Sequence, residues 1–451
     1  MDQTGRGRTS AEDRRRSIAL NASATGAGSR QPRVVIVGGG FAGLAAAKGL
    51  KNAPVQITLL DRRNHHLFQP LLYQVATAVL SPQIIAQPIR HILRKQANTS
   101  VLMEEVTGFD LDRRKVVTLN GTVPYDYLIV AAGANHSYFG NDQWEPMAPG
   151  LKTLEQATDI RSRVLRAFEE AEIADSPAAR QGWLTFIIVG AGPTGVELAG
   201  SIAEIASHAM KGEFRRINPA DAKVLLVEAL DRVLPPFAPD LSAKAQEQLE
   251  ALGVECRFGK PVKAIVPGTV TIGEEDVPCE TVIWAAGVKA SPLGAALGGE
   301  VDRPGRVMVT PELTLPGHPE VFVVGDLASL KINDKPVPGV APSANQMGAH
   351  AAVNVKRAVG KQPLTPFVYK DKGSMAVVGR NRAVAQVGNT KFSGFFAWMA
   401  WMIVHLGYLN GIRNRLLATI NWIALWFTYN RGGRLVTHYS GVTRSAENER
   451  G

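Results

Sequence analysis

Two glycine-rich segments carry the clearest chemical signal in this sequence. Both place three glycines in G-x-G-x-x-G register, in VVIVGGGFAGLAAA and, about 150 residues later, in FIIVGAGPTGVELAG. Each follows an apolar run and opens a helix-like one, the context in which this spacing binds the pyrophosphate of a dinucleotide. A chain with two such sites is predicted to move electrons from one dinucleotide to another. The glycines are Gly38, Gly40 and Gly43 in the first segment and Gly190, Gly192 and Gly195 in the second.

Each position in the register has its own task. The first glycine permits the tight turn, the second lets the backbone approach the phosphates, and the third lets helix and strand pack closely. An acidic residue at the end of the next strand then binds the ribose hydroxyls. Asp61 follows Gly38 by 23 residues, and Glu228 follows Gly190 by 38, which requires a longer helical segment. An acid there repels a 2′-phosphate, so NADH is favoured over NADPH. The alternative for each residue is an ordinary surface carboxylate at the end of a strand.

Alternating strand and helix patterns surround both segments. The first unit closes with LIVAAGA and the second with TVIWAAG, which indicates two copies of one βαβ architecture. The predicted fold is α/β, with two Rossmann-like dinucleotide domains and a C-terminal helical segment at a membrane surface. The predicted elements are strands at 34–37, 55–60, 186–189 and 224–227, and helices at 41–50, 194–211, 242–252 and 344–358.

The domain organisation follows from these patterns. Residues 1–32 are rich in Arg, Ser, Ala and Gly without apolar periodicity and are predicted to form a disordered basic tail. Residues 33–155 and 290–360 are assigned to one dinucleotide domain, and residues 156–289 to the other. Residues 361–451 form a C-terminal region of different character.

Composition excludes several classes of function. The 451-residue chain is 45% hydrophobic and carries a net charge of +10, but it lacks zinc-ligand spacing, basic heptad helices and RNA-binding signatures, so no nucleic-acid partner is expected. The two cysteines, Cys256 and Cys279, stand 23 residues apart, without C-x-x-C or metal-ligand spacing. They are interpreted as structural thiols, and no metal site is predicted.

The last 60 residues are apolar, aromatic and basic. The segments 392–409 and 416–429 are too short or too interrupted for a clear membrane span, and four tryptophans suit a membrane–water boundary. From Lys391 onward there are seven Lys or Arg against two Glu, which suits anionic headgroups. We interpret the segments as amphipathic helices lying in the membrane interface. A spanning helix, a buried core helix and a dimer face are the alternatives.

Taken together, the two glycine registers, the two AAG strand ends and the VGD motif resemble the flavoprotein pyridine-nucleotide reductases with paired dinucleotide domains. The resemblance implies FAD at the first turn and NADH at the second. The VGD aspartate would bind the ribityl chain of the flavin. The implied FAD residues are Gly38, Gly40, Gly43, Asp61, Ala132, Gly133, Gly325 and Asp326, and the implied NADH residues are Gly190, Gly192, Gly195 and Glu228.

Further segments resemble the type II NADH:quinone oxidoreductases from about Arg33 to His438: NHHLFQPLLYQVATAVLSP, GVELAG, YKDKGSMAVVGRNRAVA and SGFFAWMAWMIVHL…RNRLLATINW. The family often shows A-Q-x-A-x-Q-Q-G beside the quinone, where this chain keeps Gln346 but has Pro342 and Met347 in place of glutamines. By this resemblance Gln346 contacts the quinone head, and an ordinary glutamine on a helix surface is the alternative. Lys372, in the D-K-G turn, would place a positive charge near the flavin and the quinone, and an ordinary exposed lysine is the alternative. A loop beside the flavin would be formed by His66, Phe68, Gln69 and Pro70, and a role in packing alone is the alternative.

Glu197 is the third candidate catalytic residue. By the resemblance it lies near flavin and nicotinamide, from the first turn of its helix, and tunes the cofactor or relays a proton. The alternative is a carboxylate that complements the helix dipole.

The function implied is hydride transfer from NADH to FAD and then two-electron reduction of a membrane quinone, ubiquinone or menaquinone, without proton pumping. The protein would be peripheral, on the cytoplasmic face of the inner membrane, with a homodimer left open. A sulfide:quinone oxidoreductase is the alternative enzyme, but it requires redox cysteines. A non-catalytic flavin-binding membrane adaptor is the alternative outside enzymes, and the intact second turn with Glu228 argues against it.

Overall fold

A computed structural model describes residues 30–429 and 431–436 of the chain, so residues 1–29 of the predicted basic tail lie outside it. The described chain divides into two compact units. Unit 1 comprises residues 30–67, 86–135 and 288–372, and unit 2 comprises residues 68–85, 136–287 and 373–436. The described α-helices are, in chain order, α1 (Phe41–Gly49), α2 (Leu72–Ala76), α3 (Pro82–Ile85), α4 (Ile89–Leu93), α5 (Leu154–Ile173), α6 (Pro177–Trp183), α7 (Pro193–Glu204), α8 (Pro239–Glu250), α9 (Ala341–Val359), α10 (Phe395–Tyr408) and α11 (Ile412–Thr428).

Unit 1 is built on a six-stranded sheet that is parallel except for one edge strand. Its apolar central strands are buried, as expected of a parallel sheet with both faces covered. Helices α1 and α9 pack together, and small residues on both allow their close approach. The strands are, in spatial order, Thr314–Leu315, His318–Val323, Tyr127–Val130, Arg33–Val37, Gln56–Asp61 and Thr99–Met103.

Unit 2 contains a four-stranded parallel sheet with the same central arrangement. Its strands are, in spatial order, Val254–Phe258, Lys223–Glu228, Thr185–Val189 and Thr281–Trp284. In each unit the strand before the glycine-rich turn lies between the strand that ends in the acid and the strand that ends in an AAG motif. The predicted duplication of a βαβ module is therefore confirmed.

Smaller sheets complete both units. Each unit carries a three-stranded antiparallel sheet, formed by Val106–Asp110, Lys115–Thr118 and Gly121–Pro124 in unit 1 and by Val262–Val266, Thr269–Ile272 and Glu275–Pro278 in unit 2. Unit 2 adds a third sheet of Ser374–Gly379, Arg382–Val387 and Thr390–Ser393, which packs against α7 and α10. Short strands in unit 1 are His65–Leu67 with Ala86–Pro88, Val307–Met308 with Ala328–Ser329, and Lys331–Ile332 with Lys335–Pro336. Strands Ala134–His136 and Val288–Ala290 lie where the chain passes from one unit to the other.

Most predicted element bounds shift by one to three residues, but the helix predicted over 194–211 is shorter. Helix α7 ends at Glu204 and continues as one π-helical turn, Ile205–Ala209. A loop with a short 3₁₀ turn, Pro219–Asp221, then leads to the next strand. The long spacing to Glu228 therefore comes from the π turn and this loop more than from a longer α-helix.

Candidate functional site

The first glycine-rich turn needs glycine for two separate steric reasons. Gly38 has φ 101°, and a Cβ there would lie 2.3 Å from the carbonyl oxygen of Ala131. A Cβ on Gly43 would lie 1.8 Å from the carbonyl oxygen of Gly38. Gly40, in contrast, has open space where a Cβ would stand, and it lies at the N-terminus of α1. The turn thus presents bare backbone and a helix N-terminus to the outside, which is what a pyrophosphate requires.

The second turn repeats this geometry in unit 2. Gly190 also has φ 101°, and a Cβ on Gly195 would lie 1.8 Å from its carbonyl oxygen. Gly192 has open space and lies at the N-terminus of α7. The N–H of Gly190 donates to the carbonyl of Val227 at 2.7 Å, as that of Gly38 does to Leu60 at 2.8 Å. The residues present fit a dinucleotide pyrophosphate at both turns.

The two predicted acids occupy equivalent positions despite their different spacing. Asp61 Oδ2 accepts from the backbone N–H of Gly39 at 2.6 Å, and Glu228 Oε2 accepts from that of Ala191 at 2.7 Å. The other carboxylate oxygen of each accepts from a backbone N–H two residues further on. Each acid is therefore held against its glycine-rich turn, where a ribose next to the pyrophosphate would lie.

The remaining predicted FAD residues come together at the same edge of the unit 1 sheet. Ala132 and Gly133 follow the strand Tyr127–Val130, which is paired with the strand before the first turn. Gly325 and Asp326 follow the neighbouring strand, and a Cβ on Gly325 would lie 3.2 Å from Ala42 of α1. The carboxyl ends of adjacent parallel strands are where doubly wound sheets bind ligands.

Gln346 lies on α9, and its side-chain amide is engaged. Its Oε1 accepts from the N–H of Lys370 at 2.9 Å, and its Nε2 donates to the carbonyl of Lys370 at 3.0 Å and to that of Pro342 at 3.2 Å. Lys372 is exposed two residues beyond. The structure therefore brings these two predicted residues into one local arrangement, in which Gln346 fixes the segment that carries Lys372.

Glu197 is a partly buried carboxyl on α7. Burial raises its pKa well above the usual range, and a hydrogen bond from the backbone of Val377 offsets this only in part. The expectation that it lies in the first turn is wrong, because α7 begins at Pro193 and Glu197 is its fifth residue. The helix dipole acts mainly within the first turn, so the interpretation as a dipole partner loses its basis.

The loop predicted beside the flavin contains one residue whose role the sequence did not show. His66 is buried on the strand His65–Leu67, and its Nδ1 donates to the carbonyl of Gly39 at 3.0 Å. Its ring meets Phe41 edge to face, with centroids 5.1 Å apart. Burial lowers the pKa of His66 to about 4, so the imidazole is neutral near pH 7. In unit 2, Phe68 is buried 6.2 Å from the ring of His405, and Gln69 lies beside the carbonyl of Lys152.

A buried ion pair in unit 2 is a second feature that sequence reasoning missed. Arg431 Nη2 lies 2.9 Å from Glu204 Oε2, and both side chains are almost fully buried. Arg431 also donates to the carbonyl of Thr77 at 2.9 Å, and Glu204 Oε1 accepts from the N–H of Arg380 at 2.6 Å. A lone arginine just after an apolar run is a weak signal of such a contact, and its partner 227 residues away leaves no local pattern.

The cysteines do not form a redox centre. Cys256 lies on the edge strand Val254–Phe258, and Cys279 immediately precedes the opposite edge strand, Thr281–Trp284. Three strand spacings separate these edges, roughly 14 Å, which is beyond the reach of a disulfide. Burial raises the pKa of both thiols to about 12. Among the described residues no cluster of His, Cys, Asp and Glu could hold a metal ion.

The C-terminal helices α10 and α11 each have a packed face and an exposed apolar face. Trp401 and Trp422 are buried, with ring centroids 5.6 Å apart. None of the helices in the described part of the chain is both long and apolar enough to traverse a bilayer. The exposed large apolar side chains of the two helices are Phe395, Phe396, Met399, Ile403, Val404, Tyr408, Ile412, Leu416, Ile420, Ile423 and Phe427.

Comparison with known proteins gives a consistent result. Residues 32–348 match the family model described as pyridine nucleotide-disulphide oxidoreductase, and residues 372–429 match the one described as NDH2 C-terminal domain. The type II NADH:quinone oxidoreductase NdhA of Mycobacterium tuberculosis is 48% identical over 423 residues, covering 90% of this chain and 89% of that protein. The type II enzyme Ndh of the same organism is 46% identical over 432 residues, covering 92% of each.

A solved structure with a similar fold is NDH2 from Plasmodium falciparum in complex with NADH. It superposes with a TM-score of 0.82 at 20% identity and covers 91% of this chain and 100% of that one. At that identity the likeness concerns the fold alone.

Proposed function

The chain belongs to the type II NADH:quinone oxidoreductases, and we propose that its first glycine-rich turn holds FAD and its second holds NADH. The protein is a flavoenzyme that oxidises NADH and reduces a quinone. The observation that carries the assignment is the duplicated geometry, in which each turn offers open backbone beside a fixed acid. The VGD residues Gly325 and Asp326 support FAD in unit 1, because they meet the first turn at one sheet edge.

Glu228 is the proposed determinant of NADH over NADPH. Its carboxylate is fixed by two backbone N–H groups, and the remaining lone pairs of its oxygens can accept ribose hydroxyl protons. A 2′-phosphate at the same place would bring a second negative charge against it. We therefore expect NADPH to be a poor substrate.

When bound, FAD supplies a ring that accepts a hydride from NADH and passes two electrons to a quinone. The residues of the chain bind, orient and supply protons. Lys372 offers a positive charge that stabilises negative charge developing on the quinone, and Gln346 fixes its segment. Glu197, on α7 of unit 2, carries a carboxyl whose pKa is raised by burial, and we propose it as a proton donor in the reaction.

The quinone is lipid-soluble, so we propose that α10 and α11 rest on the cytoplasmic surface of the inner membrane. Their exposed apolar side chains form two unpartnered faces that a bilayer interface would cover. Basic residues beside these helices suit anionic headgroups. A protein on one surface moves no charge across the bilayer, so turnover is proposed to pump no protons. We leave a homodimer as a further proposal, and the molar mass of the detergent-extracted protein, measured by sedimentation, tests it.

Matched tryptophan substitutions test the two cofactor sites. Gly192→Trp and Gly40→Trp add an indole at open positions with ordinary negative φ, so neither is expected to disturb the fold. Gly192→Trp should retain flavin colour but lose bleaching by NADH under anaerobic conditions. Gly40→Trp should lose bound FAD. Gly108→Trp, at another open position in unit 1, is the control and should behave as wild type.

The outcome that would overturn the assignment is the reverse pattern, in which Gly192→Trp loses FAD and Gly40→Trp keeps it. A wild-type protein that binds FAD but is not bleached by NADH would favour the non-catalytic adaptor. Reoxidation of the bleached protein by ubiquinone or menaquinone in liposomes identifies the acceptor.

Membrane docking requires surface variants, because truncation from Lys391 would remove Trp401, Trp422 and Arg431 from the packed interior. Phe396→Ser with Ile420→Ser changes only exposed positions, one on each helix. We expect this double variant to float poorly with anionic liposomes while its NADH-dependent bleaching is unchanged. Equal flotation would remove the proposed surface. Leu119→Ser with Val368→Ser, exposed apolar positions of unit 1, is the matched control.

A further inference from the structure

The two AAG strand ends hold equivalent places in their units. In unit 1 the N–H of Ala131 donates to the carbonyl of Val37 at 2.8 Å, and in unit 2 the N–H of Ala285 donates to the carbonyl of Val189 at 2.7 Å. Each hydrogen bond joins the AAG motif to the strand that precedes the glycine-rich turn. A position beside one AAG motif can therefore be compared directly with the same position in the other unit.

The last glycine of each motif differs in what lies beside it. Gly133 has φ 67° and Gly287 has φ 69°, so the backbone takes the same left-handed turn in both units. Gly133, one of the proposed FAD residues, has open space where a Cβ would stand. A Cβ on Gly287 would instead lie 2.5 Å from Cζ of Phe139. The ring of Phe139 thus occupies, in unit 2, the place that is left open beside the proposed FAD site in unit 1.

Phe139 holds this place with a strained backbone that side-chain burial does not offset. Its φ is 53°, in the left-handed region that a bulky residue rarely adopts, and the residue is 70% exposed. Leu234 and Leu313 also have positive φ, but both are fully buried in the core. Packing in the core therefore explains those two residues and does not explain Phe139. Strained residues concentrate at ligand sites, so Phe139 marks a candidate contact.

The segment that carries Phe139 is fixed to the end of the strand Thr281–Trp284. Nε1 of Trp284 donates to the carbonyl of Ser137 at 2.9 Å, and the N–H of Ser137 donates to the carbonyl of Gly287 at 3.3 Å. Tyr138 is buried, with its ring 5.0 Å from that of Trp284. The exposed ring of Phe139 is therefore held at the carboxyl edge of the sheet by its neighbours on both sides of the backbone.

The order of the strands indicates which half of a dinucleotide would meet this ring. The strand Thr185–Val189 lies between the strand that ends in Glu228 and the strand Thr281–Trp284. The proposed ribose contact of Glu228 puts the adenosine half on one side of the turn. A dinucleotide that lies across the sheet edge then has its nicotinamide half at the end of Thr281–Trp284. This strand end borders the turn directly, because a Cβ on Gly190 would lie 2.7 Å from Cα of Ala286.

We propose that Phe139 is a substrate-contact residue whose ring packs against the nicotinamide half of NADH. The inference rests on the proposed function, which places NADH at the second turn. An exposed aromatic ring gains stabilisation when a second ring covers its apolar surface. On this side of the pyrophosphate the nicotinamide is the ring that the dinucleotide offers. The contact with Phe139 therefore adds affinity for the nicotinamide half and none for the adenosine half.

Phe139→Asn is the first test, because asparagine tolerates positive φ and the substitution removes the ring. Equilibrium titration of the oxidised full-length holoenzyme with NAD⁺ and with AMP compares a ligand that has the nicotinamide half with one that lacks it. We expect the affinity for NAD⁺ to fall about tenfold, as for the loss of an aromatic contact, and the affinity for AMP to stay within twofold of wild type. Phe139→Tyr keeps the ring and should bind NAD⁺ as wild type does.

Two further measurements separate binding from folding. Since asparagine adopts this backbone conformation more readily, the thermal midpoint of Phe139→Asn should not fall below that of wild type. In stopped-flow mixing, the NADH concentration that gives half-maximal bleaching should rise about tenfold, while reoxidation by quinone stays within twofold of wild type. Ile173→Asn, at an exposed apolar position at the end of α5, is the matched control and should change neither NAD⁺ affinity nor bleaching.

Each other outcome counts against a defined statement. Unchanged or higher NAD⁺ affinity in Phe139→Asn would refute the contact, and an equal loss of affinity for NAD⁺ and AMP would refute its assignment to the nicotinamide half. Weaker NAD⁺ binding together with a lower thermal midpoint would attribute the loss to packing and refute a direct contact. The proposed function is tested separately, because NAD⁺ binding that survives Gly192→Trp would refute NADH at the second turn whatever Phe139→Asn shows.

Discussion

The buried pair of Arg431 and Glu204 offers the sharpest test of how the C-terminal segment is held in unit 2. Arg431→Met keeps the length of the side chain but removes its charge. The Glu204 carboxylate would then remain buried, with the N–H of Arg380 still donating to its Oε1. A Cβ on Gly379 would lie 2.8 Å from that Oε1, so the backbone stands close to the carboxylate on that side.

Breaking such a pair from one side costs about 3–5 kcal/mol, because the remaining charge stays desolvated. A loss of about 3 kcal/mol corresponds to a rise of roughly 100-fold in the local opening equilibrium. Hydrogen exchange followed by mass spectrometry on peptides covering 376–381 and 72–80 measures this change directly. Glu204→Gln should give a similar increase, and the double variant should lose less than the sum of the two.

The exposed pair of Lys391 and Asp240, 2.8 Å apart, provides the internal standard. Lys391→Met should cost no more than about 1 kcal/mol, as surface pairs generally do. If Arg431→Met changed exchange as little as Lys391→Met, the pair would not be desolvated and the reasoning would be refuted. Additive effects in the double variant would show that the two residues act separately.

Two further predictions concern unit 1. The pKa of His66 is about 4 in the folded state, so between pH 4 and 6.5 the unfolded chain binds more protons than the folded one. The contribution of His66 to the free energy of unfolding is therefore constant above pH 6.5. It falls by about 3 kcal/mol as the pH is lowered from 6.5 to 4. His66→Gln, which keeps a donor for Gly39, should lessen the loss of urea resistance between pH 7.5 and 4.5, and an unchanged loss would contradict the assignment. Gln346→Ala removes the hydrogen bonds that hold the backbone of Lys370. We expect it to slow flavin reoxidation by quinone about tenfold and to leave flavin reduction by NADH unchanged. Equal slowing of both steps would place the quinone site elsewhere.

The glycine-rich turns and their acids could be predicted because their signals are local. A buried parallel strand reads as an apolar run, and the turn after it needs glycine wherever a Cβ would strike a carbonyl oxygen. Asp61 and Glu228 were found at equivalent positions, although the spacing to Glu228 gave no hint of the π turn Ile205–Ala209. A π turn depends on tertiary packing and has no pattern in the sequence.

The contacts in the interior of unit 2 could not be predicted for the same physical reason. Gln74 and Trp422 are 348 residues apart, and Arg431 is 354 residues from Thr77. Hydrophobic periodicity describes one element at a time and carries no information on which distant element packs against it. The role of Gln346 was hidden similarly, because its partner is a backbone that any residue at position 370 would provide.

The most specific family resemblance came from two segments, residues 64–82 and the C-terminal helices. The sequence assigned no chemical role to most residues of either segment. Within unit 2 they form one cluster. Trp422 binds Gln74, Arg431 binds Thr77, and the N–H of Gly433 donates to Ala78 at 3.3 Å, where Ala78 has a strained φ of 61°. A strained residue persists only where its surroundings fix it. The two segments therefore constrain each other's sequence. In a protein with the paired dinucleotide turns but without the C-terminal helices, residues 74–78 would lose these contacts, and we expect their sequence to differ.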